Sequence, residues 1–293
     1  MARKRHGWHP QQPCSMGLLR IFPSQNRKID PGKDTIMERL SNNRPTGISS
    51  NALRTWGLVF LTAGVIGRGL IQARVLGIGQ VTAQQLLEII GASDTAMMLA
   101  TLSLVLQAME TCAAPIFAIL LVTGVQHTSN FISYLIRITG LAVLSELPYN
   151  LAIGGRLIAL DSRNPVFALV LCLVMLYFYR RYPGFGFQNI LIKTVVTAAA
   201  VIWGQMLKID SGSCMVLIVA ALWALRARPL YRNFAGAAVT IVCTLISPFY
   251  LAAPMGFLAV HAYNGEKSTN SPLVNYLAYP AVLLAAGLVG MLL

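Results

Sequence analysis

Residues 94–126 read DTAMMLATLSLVLQAMETCAAPIFAILLVTGVQ, and the reading of this stretch decides the fold. It is apolar almost throughout, with one carboxylate, Glu110, near its middle and Pro115 as an expected kink. A helix needs about 20 apolar residues to cross about 30 Å of hydrocarbon, so the stretch is long for one crossing and short for two. Counted once, with an interfacial lead-in, it puts Arg180 and Arg181 on the same side of a bilayer as Arg226, Arg228 and Arg232. Counted twice, it pushes both clusters outward, against the tendency of Lys and Arg to stay in the cytoplasm. One crossing is the expected count.

Outward from there, further apolar stretches run from Leu53 to about Ile71, Phe131 to Ala152, Pro165 to Tyr179, Gln188 to Leu207, Gly212 to Arg226, Phe234 to Leu251 and Val274 to Leu293. A Gly-rich, basic turn is expected around Arg68 to Gly79, followed by a polar amphipathic stretch at Thr82 to Ile90. The connections are short and rich in Gly, Pro, Asn and Arg, which leaves no room for a soluble domain. The expectation is an all-α, polytopic transmembrane bundle of about eight spans over residues 51–293, with both termini cytoplasmic and a bacterial inner membrane as its location. The lipid bilayer is its first partner.

Composition agrees. Of 293 residues, 56% are hydrophobic and only 11% charged, too little polar surface for a water-soluble globule. The net charge of +13 does not point to nucleic acid. Residues 1–54 hold ten Lys/Arg against three Asp/Glu, and much of the remaining excess flanks apolar segments, as topology determinants do. Residues 1–50 mix Arg, Lys, Pro, Asn and Ser with few aliphatics and are expected to be a basic, poorly ordered segment, with Met16 and Met37 as alternative starts. The apolar run Met16 to Phe22 is too short for a signal peptide.

Ionisable groups within apolar helices cost about 2.5 to 3.5 kcal/mol on insertion scales, so each is a functional candidate by default. Glu146 stands in Leu144-Ser-Glu-Leu-Pro-Tyr-Asn150, two residues before Pro148. That proline leaves a carbonyl one turn back without its donor, which suits a polar cavity; the alternative is a structural ion pair with Arg156 or Arg137. His127, in Gly124-Val-Gln-His-Thr-Ser-Asn130, is either a general base or a helix stop. His261, in His261-Ala-Tyr-Asn-Gly265, sits either in a plain turn or beside a site. Asp210, before Ser211 and Gly212, is either a helix cap or a cavity acid.

Five cysteines, at positions 14, 112, 172, 214 and 243, lack metal-ligand or disulfide spacing, so no metal is expected. No HExxH, Walker-type loop, GxSxG or dinucleotide fingerprint occurs.

Several stretches together resemble the TraX family of membrane proteins, named for a conjugal-transfer protein that acetylates the N-terminus of pilin. They are Ala114 to Ala118 with Leu120 to Val122 and His127-Thr128, then Leu144 to Ala152, Asn164 to Phe167, Tyr263 to Gly265, and Tyr279-Pro280. The resemblance implies an acyltransferase-like protein that takes an acyl group from a CoA donor. Acetyl-CoA is then the implied co-substrate, with no bound cofactor, and a protein or envelope component the implied acceptor. It implies a site among the helices, reached from the cytoplasm, with His127, Glu146, Asn164, Asp210, Tyr263 and Asn264 at its polar positions; His127 and Glu146 are the catalytic candidates, the other four line the cavity, and His261, from its place in the turn, is a further cavity-lining candidate.

The chain also departs from the pattern. Many members carry an Asp-His pair in the first span, where this chain has Phe60 to Gly67 with neither residue, and Thr123, Asn150 and Val282 stand at positions that are acidic or polar in the family. The alternatives are therefore a non-catalytic membrane assembly protein, or a small-solute transporter.

Overall fold

The structure, a computed structural model, describes residues 47–77, 91, 93–158, 162–265 and 272–292. Residues 1–46 and 78–90, where a basic tail and an amphipathic stretch are expected, lie outside them, as do Asp161, Glu266 and Lys267. All that follows concerns the unit Thr46–Leu293.

Among the described residues the architecture is all-α, with two isolated parallel bridges, Ile48 with Tyr263 and Arg163 with Ile209, as its only β pairing. Helix α1 (Ser50–Val65) is capped by the Ser49 hydroxyl, which accepts from Ala52 N–H at 3.3 Å. It continues without a break into a π-helical segment, Ile66–Val75. The basic turn expected from Arg68 is thus helical as far as Val75. Gly67 and Gly69 do not stop the helix because they are contact points: a Cβ on Gly67 would press on the Ser103 carbonyl, and one on Gly69 would overlap the Ala152 carbonyl.

The deciding stretch is one candidate span in two pieces, α2 (Asp94–Thr111) and α3 (Ala113–His127), joined at Cys112. Pro115 explains the joint. It has no N–H to donate to the carbonyl four residues back, at Thr111. Four segments are long and apolar enough to cross a membrane by themselves: Ser50–Val75, Asp94–His127, α4 (Phe131–Gly154) and α6 (Phe187–Met206). The second is the central post, 56% buried, whereas α4 and α6 are 17% and 11% buried over their most apolar windows. Their exposed faces, with Ile136, Val143, Leu191 and Val195 among the residues that point outward, suit hydrocarbon rather than water.

The remaining helices, α5 (Val166–Arg181), α7 (Gly212–Ala224) and α8 (Pro229–Val242), are shorter. Helix α7 covers only about 20 Å, so it starts inside the bundle. The loops before α5 and α7 dip inward and meet there, with Arg163 N–H donating to the Lys208 carbonyl (2.8 Å) and Asp210 N–H donating to that of Arg163 (3.0 Å).

Eight crossings are not confirmed, and the expected span Phe234 to Leu251 is a hairpin that doubles back. After α8 come three 3-10 turns, Cys243–Leu245, Pro248–Leu251 and Ala253–Met255, then α9 (Gly256–His261). The tip meets the centre of the post, where Thr111 Oγ1 donates to Phe249 O (3.0 Å) and Cys112 Sγ donates to Ala252 O (3.2 Å). The exit lies beside the start of α1, with Ile48 N–H donating to Ala262 O at 2.7 Å and Asn264 N–H donating to Ile48 O at 3.1 Å. Pro248 and Pro254 are the cause: each lacks an N–H and biases its predecessor away from the helical region, so a straight helix cannot continue.

The last helix, α10 (Pro272–Leu292), runs along α4. Its Gly287 approaches Leu151, and its Gly290 approaches Leu70 and Arg74. One end of the bundle, the near end, therefore gathers Ile48, His127, Arg181, Ala224 and Tyr263, and the far end gathers Val75, Gly154 and Leu292. With the hairpin returning to its own side, Gly47 and Leu292 lie at opposite ends, unlike the common side that eight crossings imply. Four cysteines, Cys112, Cys172, Cys214 and Cys243, are buried free thiols.

Candidate functional site

Arg68, on the π-helical segment, reaches two carboxylates from two other parts of the chain. Its Nη2 donates to Glu110 Oε1 at 2.6 Å, and its Nη1 donates to Asp210 Oδ2 at 2.5 Å. The same Asp210 oxygen accepts from the Tyr149 hydroxyl at 3.2 Å, and that hydroxyl lies 3.1 Å from Ser162 Oγ. Glu110 packs under Gly64, where a Cβ would overlap its carboxylate. The side chains of Arg68, Glu110 and Asp210 are only 22%, 15% and 20% exposed. Their mutual pairing is what makes that burial tolerable. Glu110 Oε2 and Asp210 Oδ1 have no hydrogen-bond partner among the described residues, and neither has the buried Arg68 Nε.

Local backbone geometry delivers Asp210. Lys208 and Ser211 sit at φ +52° and +58°, a left-handed conformation unusual for residues with a Cβ. The bonds to Arg163 and the hydrogen bond from Ile209 N–H to Gly204 O (3.0 Å) hold this loop in place. Backbone strain of this kind collects where a side chain must be aimed. Asp210 is therefore a cavity acid, and Ser211 precedes α7 with no side-chain cap.

The cluster borders a cavity of about 720 Å³, within the range of small-ligand sites. Arg54 and Arg137 line its other part, beside Asn51, Thr55 and Tyr134. Arg54 stands in the second turn of α1 and Arg137 in the second turn of α4, both near the end where Ile48 lies. From Arg54 to Arg68 is about 20 Å along the helix. The cavity thus runs inward from two arginines to an arginine with two acids, between walls formed by Leu58, Leu61, Phe117 and Leu141.

Of the seven residues singled out from sequence, Asp210 alone lines this cavity. Glu146 and Asn164 form a neighbouring pair: Asn164 N–H donates to Glu146 Oε2 at 3.2 Å, and Arg163 Nη1 lies 3.7 Å from Glu146 Oε1. The ion partner of Glu146 is thus Arg163, in place of Arg156 or Arg137. Asn164 is fully buried, its Oδ1 accepting from Val166 N–H and from the Tyr279 hydroxyl, each at 3.0 Å.

The other four lie at the near end. His127 is exposed as the last residue of α3, with Nδ1 2.8 Å from Thr123 O. His261 ends α9 and is exposed. Tyr263 forms the bridge to Ile48 and Asn264 follows it; burial pushes the Tyr263 phenol above its ordinary range, and a hydrogen bond to Ser50 opposes the shift.

Arg68, Glu110 and Tyr149 were not among the sequence candidates. Glu110 carried a usable signal, a carboxylate midway along an apolar run. Arg68 had none, because the glycines around it read as a turn. No group of three or more His, Cys, Asp or Glu able to hold a metal occurs among the described residues.

These features define a polytopic helical membrane protein with a charged interior cavity. The chain belongs to the TraX family: the family described as TraX protein matches it over residues 88–290. That range takes in Glu110, Tyr149 and Asp210 and leaves out Arg68 and Arg54. No curated protein and no solved structure matches the chain.

Proposed function

We propose that this protein is a divergent membrane acyltransferase, which takes an acetyl group from acetyl-CoA held in the cavity and passes it to an amine or hydroxyl of a protein or envelope acceptor. The single observation that carries this reading is the course of the cavity, from paired arginines near one end to an arginine–carboxylate cluster deep inside. CoA has the matching asymmetry, with phosphates at one end and a thioester at the tip of a long pantetheine arm. Arg54 and Arg137 suit the phosphates, and the apolar walls suit the arm.

At the deep end, the acceptor N–H or O–H attacks the thioester carbonyl and its proton passes to the open oxygen of Asp210 or Glu110. Arg68 supplies positive charge for the oxyanion. The C–S bond then breaks and the thiolate leaves with the proton held by the carboxylate. In the first span, Gly64 leaves room for Glu110, so a carboxylate from the second span stands where the family resemblance places an Asp-His pair. The positive-inside rule puts the near end, with its arginines, in the cytoplasm of a bacterial inner membrane, where acetyl-CoA is found.

The test is binding of labelled acetyl-CoA to the purified protein in detergent. Wild type is expected to bind, and unlabelled CoA to compete. Arg54→Gln with Arg137→Gln is expected to weaken binding about tenfold or more, since hydrogen bonds to charged groups contribute about 1.5 to 3 kcal/mol each. Absence of binding in a protein shown to be folded contradicts the acyltransferase reading and supports the assembly-protein alternative.

A further inference from the structure

A second cavity, of about 880 Å³, lies between α5, α6 and α7 at the near end. Arg180, Lys193 and Arg226 line it, together with Pro183, Phe185 and Trp223. Among the described residues none of these cations has a carboxylate partner. The four described carboxylates are Asp94, Glu110, Glu146 and Asp210; three are committed to the interior and Asp94 opens α2, at the other end.

The cations are positioned by the protein rather than left to solvent. Arg180 lies over the Phe131 ring, Arg226 over Trp223, and Lys193 over Phe185. Lys193 is the seventh residue of α6 and therefore enters about 9 Å deep. Its ammonium reaches back to the Gly184 carbonyl at 2.7 Å, as a lysine does when its stem lies in hydrocarbon and its charge at the interface.

Below the cations the lining turns mainly apolar with Ala198, Val201 and Leu217, and the two hydroxyls there, Thr194 and Thr197, are taken up by the carbonyls of Ile190 (3.0 Å) and Lys193 (2.7 Å). Helix α6 is the least buried of the four long spans, so this wall opens on lipid. Phe185 and Phe187, 87% and 82% exposed, sit where interfacial aromatics anchor. The groove thus has a cationic rim at headgroup depth and an apolar floor at acyl depth, open sideways.

We propose that this groove is a binding site for an anionic glycerophospholipid, its phosphate held by Arg180, Lys193 and Arg226 and its acyl chain laid along α6 and α7. Charge complementarity selects the anionic headgroup, and the apolar floor selects a lipid over free phosphate. This site is separate from the cavity assigned to acetyl-CoA and does not depend on that assignment.

The full-length protein in mild detergent is mixed with phosphatidylglycerol or with phosphatidylcholine of the same acyl chains, and native mass spectrometry counts the lipids retained. Wild type is expected to retain phosphatidylglycerol in preference, with excess inorganic phosphate unable to displace it. Each of Arg180→Gln, Lys193→Gln and Arg226→Gln is expected to lower that retention about fivefold. Arg181→Gln with Arg228→Gln, which removes charge at the same end outside the groove, is expected to leave it in place. The single variants keep the test valid if the triple variant does not fold. Equal retention of the two lipids by wild type, an equal loss per cation in the control pair, or displacement by inorganic phosphate overturns the proposal.

Discussion

Arg68 holds together a carboxylate from a helix, Glu110, and one from an inward loop, Asp210, and its removal leaves the two facing each other without a cation. Arg68→Gln is expected to destabilise the protein by about 3 kcal/mol, the low end for a buried pair, because about a fifth of each side chain faces the cavity. Tyr149→Phe removes one hydroxyl and is expected to cost about 1 kcal/mol. Thermal unfolding in detergent ranks the two; equal shifts would contradict the central position given to Arg68. At this scale the sequence was legible where a residue broke its context. Glu146 stood out as an acid in apolar surroundings and Asp210 as an acid just before a helix, either a cap or a cavity acid; Asp210 lines the cavity. Arg68 was hidden because Gly67 and Gly69 are read as flexible, whereas here they serve close packing against Ser103 and Ala152. His127 stood out for its chemistry, but its position at the last turn of α3 makes it a helix terminus in this fold.

The hairpin α8–α9 is the element on which the inner architecture rests. It seats its prolines and short turns against Cys112, and Gly256 allows the approach, since a Cβ there would overlap the Cys112 carbonyl. Gly256→Leu is expected to lift the tip from the post and expose Cys112 and Cys243, which are 5% and 0% exposed in the native fold. Maleimide labelling in detergent then accelerates at both cysteines, while Cys172, held between other helices, stays slow; unchanged labelling would mean that the tip is not docked. The spans expected from hydropathy agree with the observed helices to within a few residues at most ends. The exception is the stretch through Pro248 and Pro254. Its hydropathy suits a membrane span, but it cannot keep helical hydrogen bonds, and hydropathy carries no information about that. The joint at Cys112 was legible for the converse reason, because Pro115 marks it.

For the molecule as a whole, two properties meet: lipid-exposed apolar helices outside, and a charged cavity entered from the end rich in arginine. The clustering of Arg180, Arg181, Arg226, Arg228 and Arg232 at one end was visible in the sequence. The number of passes was not, since a hairpin that returns to its own side changes the parity of every later segment. Nor could hydropathy reveal that three helices and two inward loops bring Arg68, Glu110, Tyr149 and Asp210 to one place, because that depends on packing between segments far apart in the chain. The proposed function assigns acyl transfer to this cluster. Its most direct test is transfer of labelled acetyl from acetyl-CoA to membrane fractions by wild type, Asp210→Asn, Glu110→Gln and His127→Ala, each shown to be folded. Wild type is expected to transfer the label, Asp210→Asn or Glu110→Gln to lose about a hundredfold or more, as removal of a general base entails, and His127→Ala to remain near native. No transfer by wild type, or transfer lost only in His127→Ala, would contradict it.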